Sequence, residues 1–420
     1  MRPTARLISR RTHEPHRQQH PKPYPPQYRG DPMFKPLVLA AALSTLAAGA
    51  MAADGIKIGM MTTLSGPGAS LGIDIRDGFN LALKRLDKKL GGLPADVLIA
   101  DDAQNPETGK QIAERFIKKD KVDIGTGIVF SNIMLAVGPA FFNAQTFYVS
   151  ANAGPSQYAG AQCNPYFFNV AWQNDNLHEA MGKYMQDKGI KKAVLLAPNY
   201  PGGKDALAGV KRYYKGTVAD EIMTKLGQLD YAAEIAQIRA ANADALYVFL
   251  PGAMGVNFIK QYAQSGLLKK TPLYAPGFSA DEDVVKAVGP AMEGIYNTSH
   301  WYREMDNPTN KQFVADFQKE YGRLPTLYAS QGYDAALLID AAVKQVGGKL
   351  DNKAALRKAL ETVKAPTTRG EYRFGPNHYP EQAYYLREIV KSADGSVSNK
   401  YIGKVADKLA DTYVGECKMQ

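Results

Sequence analysis

Cysteine is nearly absent from this chain: Cys163 and Cys417 are the only two among 420 residues. That excludes a disulfide-dense scaffold and a thiolate zinc cluster. Histidine is almost as scarce. Three of the six fall within the first 20 residues, and His178, His300 and His378 stand too far apart to read as a metal or nucleophile–base signature. Phosphate-loop, HExxH and GxSxG patterns are missing, and Gly277-Phe278-Ser279-Ala280-Asp281 fails the last at its final glycine. Gly125-Thr126-Gly127 begins a dinucleotide fingerprint, but the third glycine is required at residue 130, which is Phe130. No acid follows between Asp123 and Asp175 to hold a ribose. A nicotinamide or flavin site is therefore excluded, and neither cofactor nor metal is expected.

A concentrated basic surface is missing too. The formal charge of +10 is mostly local, because residues 1–53 hold eight Lys and Arg against two Asp and Glu. About +4 remains for everything that follows. Spread over so long a chain, that is an ordinary solvated surface and not a nucleic-acid footprint.

Residues 1–32 are rich in Pro, Arg and His and show no apolar periodicity, so they cannot bury a core. They read as a disordered extension upstream of a true start at Met33; a real basic arm is the other reading. From Met33 the text changes to a short basic start, the apolar run Leu37 to Ala48, and an Ala-x-Ala ending at Ala52. That is a secretory signal peptide over residues 33–53. The run is shorter than the ~20 residues a membrane span needs. No cysteine at the cleavage site offers a lipid anchor. In an oxidising exported compartment an even pair of cysteines implies one disulfide, Cys163 to Cys417, which stabilises by roughly 4–5 kcal/mol in the chain-entropy picture. Two buried free thiols are the alternative. The remaining ~367 residues exceed what one core usually holds, so two domains are expected.

From Asp54 onward, short apolar runs alternate with helical patterns. Strands are predicted at Ile56–Met61, Val97–Ala100, Val122–Ile124 and Phe147–Ser150. The first intervening helix carries Ile75, Phe79, Ala82, Leu83, Leu86 and Leu90 on one face, and helices follow at Pro106–Lys119 and Asn132–Phe142. The rhythm restarts at Tyr166–Val170, with helices Asn174–Lys188, Lys204–Tyr214, Tyr231–Ala241 and Val256–Ser265. Strands Ala193–Ala197, Glu221–Lys225, Ala245–Leu250 and Leu273–Ala275 alternate with them. Helices near Pro308–Tyr321, Leu327–Val346 and Lys353–Thr362 then precede strands at Tyr372–Phe374 and Tyr384–Val390. The fold class is α/β, with two doubly wound units in tandem.

In open parallel sheets ligands bind at the C-terminal ends of the strands. Small, hydroxyl-bearing and aromatic residues gather there: Thr63 to Gly72, Gly127 to Ser131 and Ser150 to Gly154 in the first unit. In the second they are Pro198-Asn199-Tyr200, Pro251 to Met254 and Pro276-Gly277-Phe278. The first loop leads into a helix N-terminus, which favours anions. Asp101-Asp102 reads as a helix-orienting pair rather than a catalytic one, Asp281-Glu282-Asp283 as a first-turn cluster complementing a helix dipole, and His300 as an aromatic neighbour.

At these loops the chain resembles the periplasmic substrate-binding proteins of branched-chain amino acid-type ABC transporters, with the type I periplasmic-binding fold. The matching text is Ile56-Lys57-Ile58-Gly59, Leu64-Ser65-Gly66-Pro67, Gly72, Asp101-Asp102, Tyr148-Val149-Ser150 and Gln331-Gly332-Tyr333-Asp334-Ala335. The resemblance implies two lobes joined by three crossings near Ala171, Ser299 and Asn377, with the ligand cleft between them. Lobe one would combine 54–171 with 300–377, and lobe two 172–299 with 378–420. It also implies a periplasmic monomer that performs no reaction, closes by a hinge on a small-molecule ligand, and delivers it to the permease subunits. Ligand contacts are expected from Ser65, Leu71, Phe130, Ser131, Ser150, Ala151, Asn152, Tyr200, Met254, Phe278 and Tyr333. Two departures bear on the ligand. The acid that would pair with an amino acid's ammonium should fall near Pro276-Gly277-Phe278, where none stands, and an aromatic of the first loop is replaced by Leu71. A buried ammonium without an anion is costly. The expected ligand is therefore an aromatic or other apolar carboxylate. A branched-chain or other amino acid or amide remains the alternative, because Asp281 or Glu282 could reach the cleft. A ligand-sensing module of the same fold and an exported α/β enzyme are the other classes.

Overall fold

The computed structural model describes residues 55–409 and 411–419. The predicted extension 1–32 and signal peptide 33–53 lie outside them. β1 (Ile56–Thr62) buries every residue but Lys57, as a strand covered on both faces must. Ile58 lies opposite Val97 of β3 (Leu93–Asp101) on one side and Ile124 of β4 (Ile124–Thr126) on the other, all parallel. β5 (Phe147–Ser150) and β6 (Phe167–Asn169) continue the parallel series. A two-residue β2 (Lys89–Leu90) folds antiparallel onto β3, giving the order β2-β3-β1-β4-β5-β6. The connecting helices are α1 (Ala69–Arg85), α2 (Pro106–Arg115), α3 (Ser131–Asn143) and the single turn α4 (Ser156–Ala159). α2 starts where Asn105 Oδ1 accepts from the Glu107 and Thr108 amides and Pro106 takes the first position. Leu90 is a correction to the periodic reading. Asp87 and Lys88 take positive φ of 52° and 57°, α1 stops at Arg85, and Leu90 packs from β2 instead.

The second sheet has the order β13-β12-β11-β10-β9-β7-β8. After α5 (Asn176–Asp187) the chain alternates through β7 (Lys192–Pro198), α6 (Pro201–Tyr213), β8 (Thr217–Thr224) and α7 (Ala232–Ala241). It continues as β9 (Ala245–Val248), α8 (Ala253–Gln264), β10 (Leu273–Pro276), α9 (Glu282–Val288) and β11 (Tyr296–Ser299). Then α10 (Pro308–Tyr321), α11 (Leu327–Gln345) and α12 (Lys353–Glu361) follow, and α11 packs along α1 and against β2. β12 (Tyr384–Lys391) and β13 (Val397–Ala406) close the second sheet as an antiparallel pair beside β11.

Two glycines explain how closely α1 and α11 lie. A Cβ on Gly78 would stand 1.9 Å from the Ala329 carbonyl oxygen, and one on Gly332 would stand 2.0 Å from that of Ile75. Each helix presses backbone against backbone where the other has no side chain.

The predicted strand at Tyr372–Phe374 does not form; only Phe374 bridges to Pro380. These aromatics pack on the end of β6: Tyr372 donates to the Asn169 carbonyl at 3.1 Å, and the Phe374 and Phe168 rings lie 5.2 Å apart. The chain leaves the first sheet after β6, and between β11 and β12 of the second sheet it returns to pack α11 on α1 and β2; the connecting segments touch, with Trp172 and His300 rings 5.0 Å apart. Arg369, 4% exposed at its side chain, donates to the carbonyls of Val170 at 2.6 Å and Ala171 at 3.3 Å while pairing with buried Asp334 at 3.0 Å. Gln382 also donates to the Ala171 carbonyl, at 2.6 Å. Cys163 and Cys417 are bonded, with Cα atoms 5.5 Å apart.

Candidate functional site

The strand-end loops of the two sheets face one another. At the lip the Ala253 amide donates to the Pro67 carbonyl at 3.1 Å, and Ser70 donates to Asp283 at 3.0 Å. Below them the Phe130 and Tyr200 rings meet edge to face with centroids 6.0 Å apart. Further along, Ser156 donates to Asp205 at 2.8 Å. Enclosed by these contacts is a cavity of about 30 Å³.

The first sheet contributes Leu71 from α1, then Val129, Phe130 and Ser131 where β4 gives way to α3, and Asn152 beyond β5. Ser131 is the first residue of α3, so the positive dipole end of that helix stands at the cavity wall. The second sheet contributes Tyr200 and Gly202 at the start of α6, Phe249 and Pro251 beyond β9, Phe278 beyond β10, and His178 from the first turn of α5. Trp172 and Asn174 come from the first passage between the sheets, and Tyr328 from the first turn of α11.

None of these lining residues is ionised. Burial alone presses the His178 pKa down to about 3, so its imidazole is neutral. Burial pushes the Tyr200 and Tyr328 phenols well up, so both remain O–H groups, and neither hydroxyl bonds to another described residue. Asn174 donates to Ser131 Oγ at 2.9 Å and to Asp205 at 2.8 Å. Asp205 lies behind that wall; burial, then the nearby Asp175, raise its pKa to about 6. Asn152 donates to the Val129 carbonyl at 2.7 Å, while its Oδ1 is buried without a partner. The acids that might have reached the cleft are held elsewhere. Asp281 pairs with buried Arg387 at 3.0 Å and accepts from the Leu327 amide at 2.5 Å, and Glu282 pairs with Arg303 at 3.3 Å.

The sequence profile of a family described as periplasmic binding protein matches residues 55–395. This chain belongs to that family. A Leu/Ile/Val-binding protein homolog from Brucella melitensis is 29% identical over 382 residues, covering 88% of this chain and 96% of the relative. Among solved structures, a solute-binding protein of an ABC transporter from R. palustris in complex with benzoate is 32% identical, with a TM-score of 0.82 over 87% of this chain and 99% of that one. Another from Rhodopseudomonas palustris BisB5, in complex with 3,4-dihydroxybenzoic acid, is 30% identical, with a TM-score of 0.80 over 86% of this chain and 99% of the other.

In this periplasmic binding protein, the cavity wall brings together Leu71, Phe130, Ser131, Asn152, Tyr200 and Phe278 of the residues predicted to contact a ligand. Five others stand outside it. Ser65 is exposed beside Asp101, and Ser150 turns its hydroxyl to the Ala153 carbonyl at 2.7 Å. Ala151 is buried under the loop, Met254 packs beneath α8 with its sulfur facing the Gly227 amide, and Tyr333 packs on Phe313 with ring centroids 4.8 Å apart. Sequence reasoning missed Trp172, Asn174, His178, Phe249 and Tyr328. Only Phe249 carried a strand-end signal, being the residue before Leu250-Pro251.

Proposed function

We propose that this chain is the periplasmic solute-binding protein of an ABC transporter and that its ligand is an aromatic carboxylate. The observation that carries the reading is a cavity walled by Phe130, Trp172, Tyr200, Phe249, Phe278 and Tyr328 that offers no ionised acid. An α-amino acid would bring an ammonium into that wall with no anion to meet it, at a cost of several kcal/mol. A carboxylate instead meets Ser131, the positive dipole end of α3 and the unpaired phenols, all of which favour an anion. Benzoate-type complexes among the similar structures, including the two described above, support the same class of ligand.

Capture works by hinge closure of lobe one (54–171 with 300–377) on lobe two (172–299 with 378–420). The packing of α11 on α1 and the joining of β12 to β11 support that division. A cavity of about 30 Å³ admits a ring only after the walls part, so binding and opening are coupled. The closed monomer then hands its unreacted cargo to the permease subunits. A thermal-shift panel tests the ligand class: benzoate and hydroxybenzoates are expected to raise the melting temperature by several degrees and leucine and valine to leave it unchanged. Strong stabilisation by leucine or valine with none by any benzoate overturns the reading.

A further inference from the structure

His178 has no place in the carboxylate-gripping half of the cavity, yet it lines the cavity wall at 1% exposure. Its ring stands 4.8 Å from Phe249 and 5.6 Å from Phe278, centroid to centroid. On this flank of the wall Pro251 joins the two phenylalanines, and Trp172 and Tyr328 also stand against Phe278, with ring centroids at 4.4 and 6.2 Å. From Phe130, beside Ser131, the rings step through Tyr200 and Phe249 to His178 with centroid separations of 6.0, 6.4 and 4.8 Å. An aromatic belt therefore lies between the start of α3 and this imidazole.

Its hydrogen bonding fixes what the imidazole presents. Nδ1 is bonded to the hydroxyl of Tyr247, a fully buried residue of β9 with no other partner among the described residues. Burial keeps that phenol protonated. A phenolic O–H with one neighbour must donate to it, because otherwise its proton is stranded in the core. Nδ1 is then the acceptor, and the ring proton sits on Nε2. Nε2 bonds to no described residue, so the cavity contains a neutral N–H donor opposite the end that takes the carboxylate.

We infer that His178, oriented by Tyr247, is the receptor for an acceptor oxygen without a proton of its own on the ligand's ring, a methoxy oxygen first of all with its methyl against Phe249 and Phe278, so that the protein selects such aromatic acids over the bare ring. This rests on the aromatic-carboxylate reading and narrows it. A cavity built to bond a ring oxygen discriminates against the analogue lacking it, because the buried donor is then left unpaired. His178 recognises and does no chemistry, and Tyr247 is a positioning residue that sets its tautomer.

The test is calorimetric titration of the purified chain with benzoate, 3-methoxybenzoate and 4-methoxybenzoate. At least one methoxybenzoate is expected to bind about tenfold or more tighter than benzoate. In His178→Phe the ratio of the two Kd values should fall towards one, and His178→Gln, which returns an N–H near the Nε2 position, should restore a preference in the original direction. Tyr247→Phe should lower the ratio without abolishing it. Benzoate binding as tightly as both methoxybenzoates, or a ratio unchanged in His178→Phe, overturns the assignment while leaving the aromatic-carboxylate reading intact. If none of the three acids binds, it is that broader reading which fails.

Discussion

Replacing Cys163 and Cys417 together by serine removes the one covalent tie in the described chain, across a sequence separation of 254 residues. The loop it closes contains the whole second sheet and α10 to α12, so the bond restrains most of the unfolded chain. At that loop length the chain-entropy relation puts the stabilisation near ~5 kcal/mol. A folded chain of this size gains about 0.7 kcal/mol of unfolding entropy per degree, which converts the loss to a fall in Tm of roughly 5–7 °C. The native state should change little, because the C-terminal tail keeps other anchors. Tyr413 donates to Asp175 at 2.9 Å beneath the Arg212 guanidinium, and Asn377 donates to Asp411 at 2.7 Å. Thermal unfolding of the oxidised protein, the double variant and the reduced wild type measures the effect, with ligand titration alongside to confirm an intact cavity. A double variant melting within about 2 °C of the oxidised protein would refute the reasoning, because the bond would then not be restraining the unfolded chain.

Arg369→Met should destabilise by about 3–5 kcal/mol, since it strands the fully buried Asp334 without its cation; urea unfolding reads this directly. Gly332→Ala should cost about 2 kcal/mol or more, because its Cβ meets the Ile75 carbonyl at 2.0 Å and the two helices must separate. Asp283→Asn should alter the pH profile of stability in a defined direction. Burial, then the neighbouring Asp281, raise the Asp283 pKa from 3.8 to about 6, so between those values the folded protein holds a proton that the unfolded chain has lost. Stability conferred by that proton is lost as pH rises towards 6, and above it folding must bury the charge. The variant should therefore gain melting temperature over wild type at pH 8, keep about half of that advantage at pH 5 and lose it as pH falls below 3.8; an equal offset at pH 8 and pH 5 contradicts the assignment.

The alternation of strands and helices was legible because parallel strands buried on both faces must be written as short apolar runs, as β1, β5, β7 and β9 are. β11 escaped because Tyr-Asn-Thr-Ser is polar text made acceptable by partners: Asn297 donates to Asn399 at 2.7 Å and Thr298 to the Leu177 carbonyl at 2.7 Å. β13 escaped because it is a sheet edge with exposed Tyr401 and Ile402 and lacks a clean period. Tyr372–Phe374 failed in the opposite sense, its aromatic run being used for packing on β6 rather than for pairing. The same logic divides the site. Phe130, Ser131, Asn152, Tyr200 and Phe278 follow from the strand-end rule. Trp172 and Asn174 come from a passage between sheets, and His178 from the first turn of α5, to which no rule attaches. On α11 the right residue type was chosen one turn too late: five positions rotate the side chain roughly 140°, which carries Tyr333 to Phe313 while Tyr328 faces the cavity.

The contacts that hold the two halves together are largely distinct from the groups that would read a ligand. The Pro67–Ala253 bond uses backbone on both sides, Asp281 reaches the Leu327 amide, and Ser70 meets Asp283. On the hinge-closure proposal, a change at this rim would shift the balance between open and closed forms for every ligand alike, because it would alter the free energy of closure and leave the cavity wall untouched. A change at Phe278 or His178 does the reverse: it alters the differential affinity for particular rings while the rim closes as before. Affinity and selectivity are thus adjustable at separate sets of residues. On the proposed function, one scaffold would in this way accept new cargo by substitutions confined to the cavity while presenting the same closed surface to its transporter.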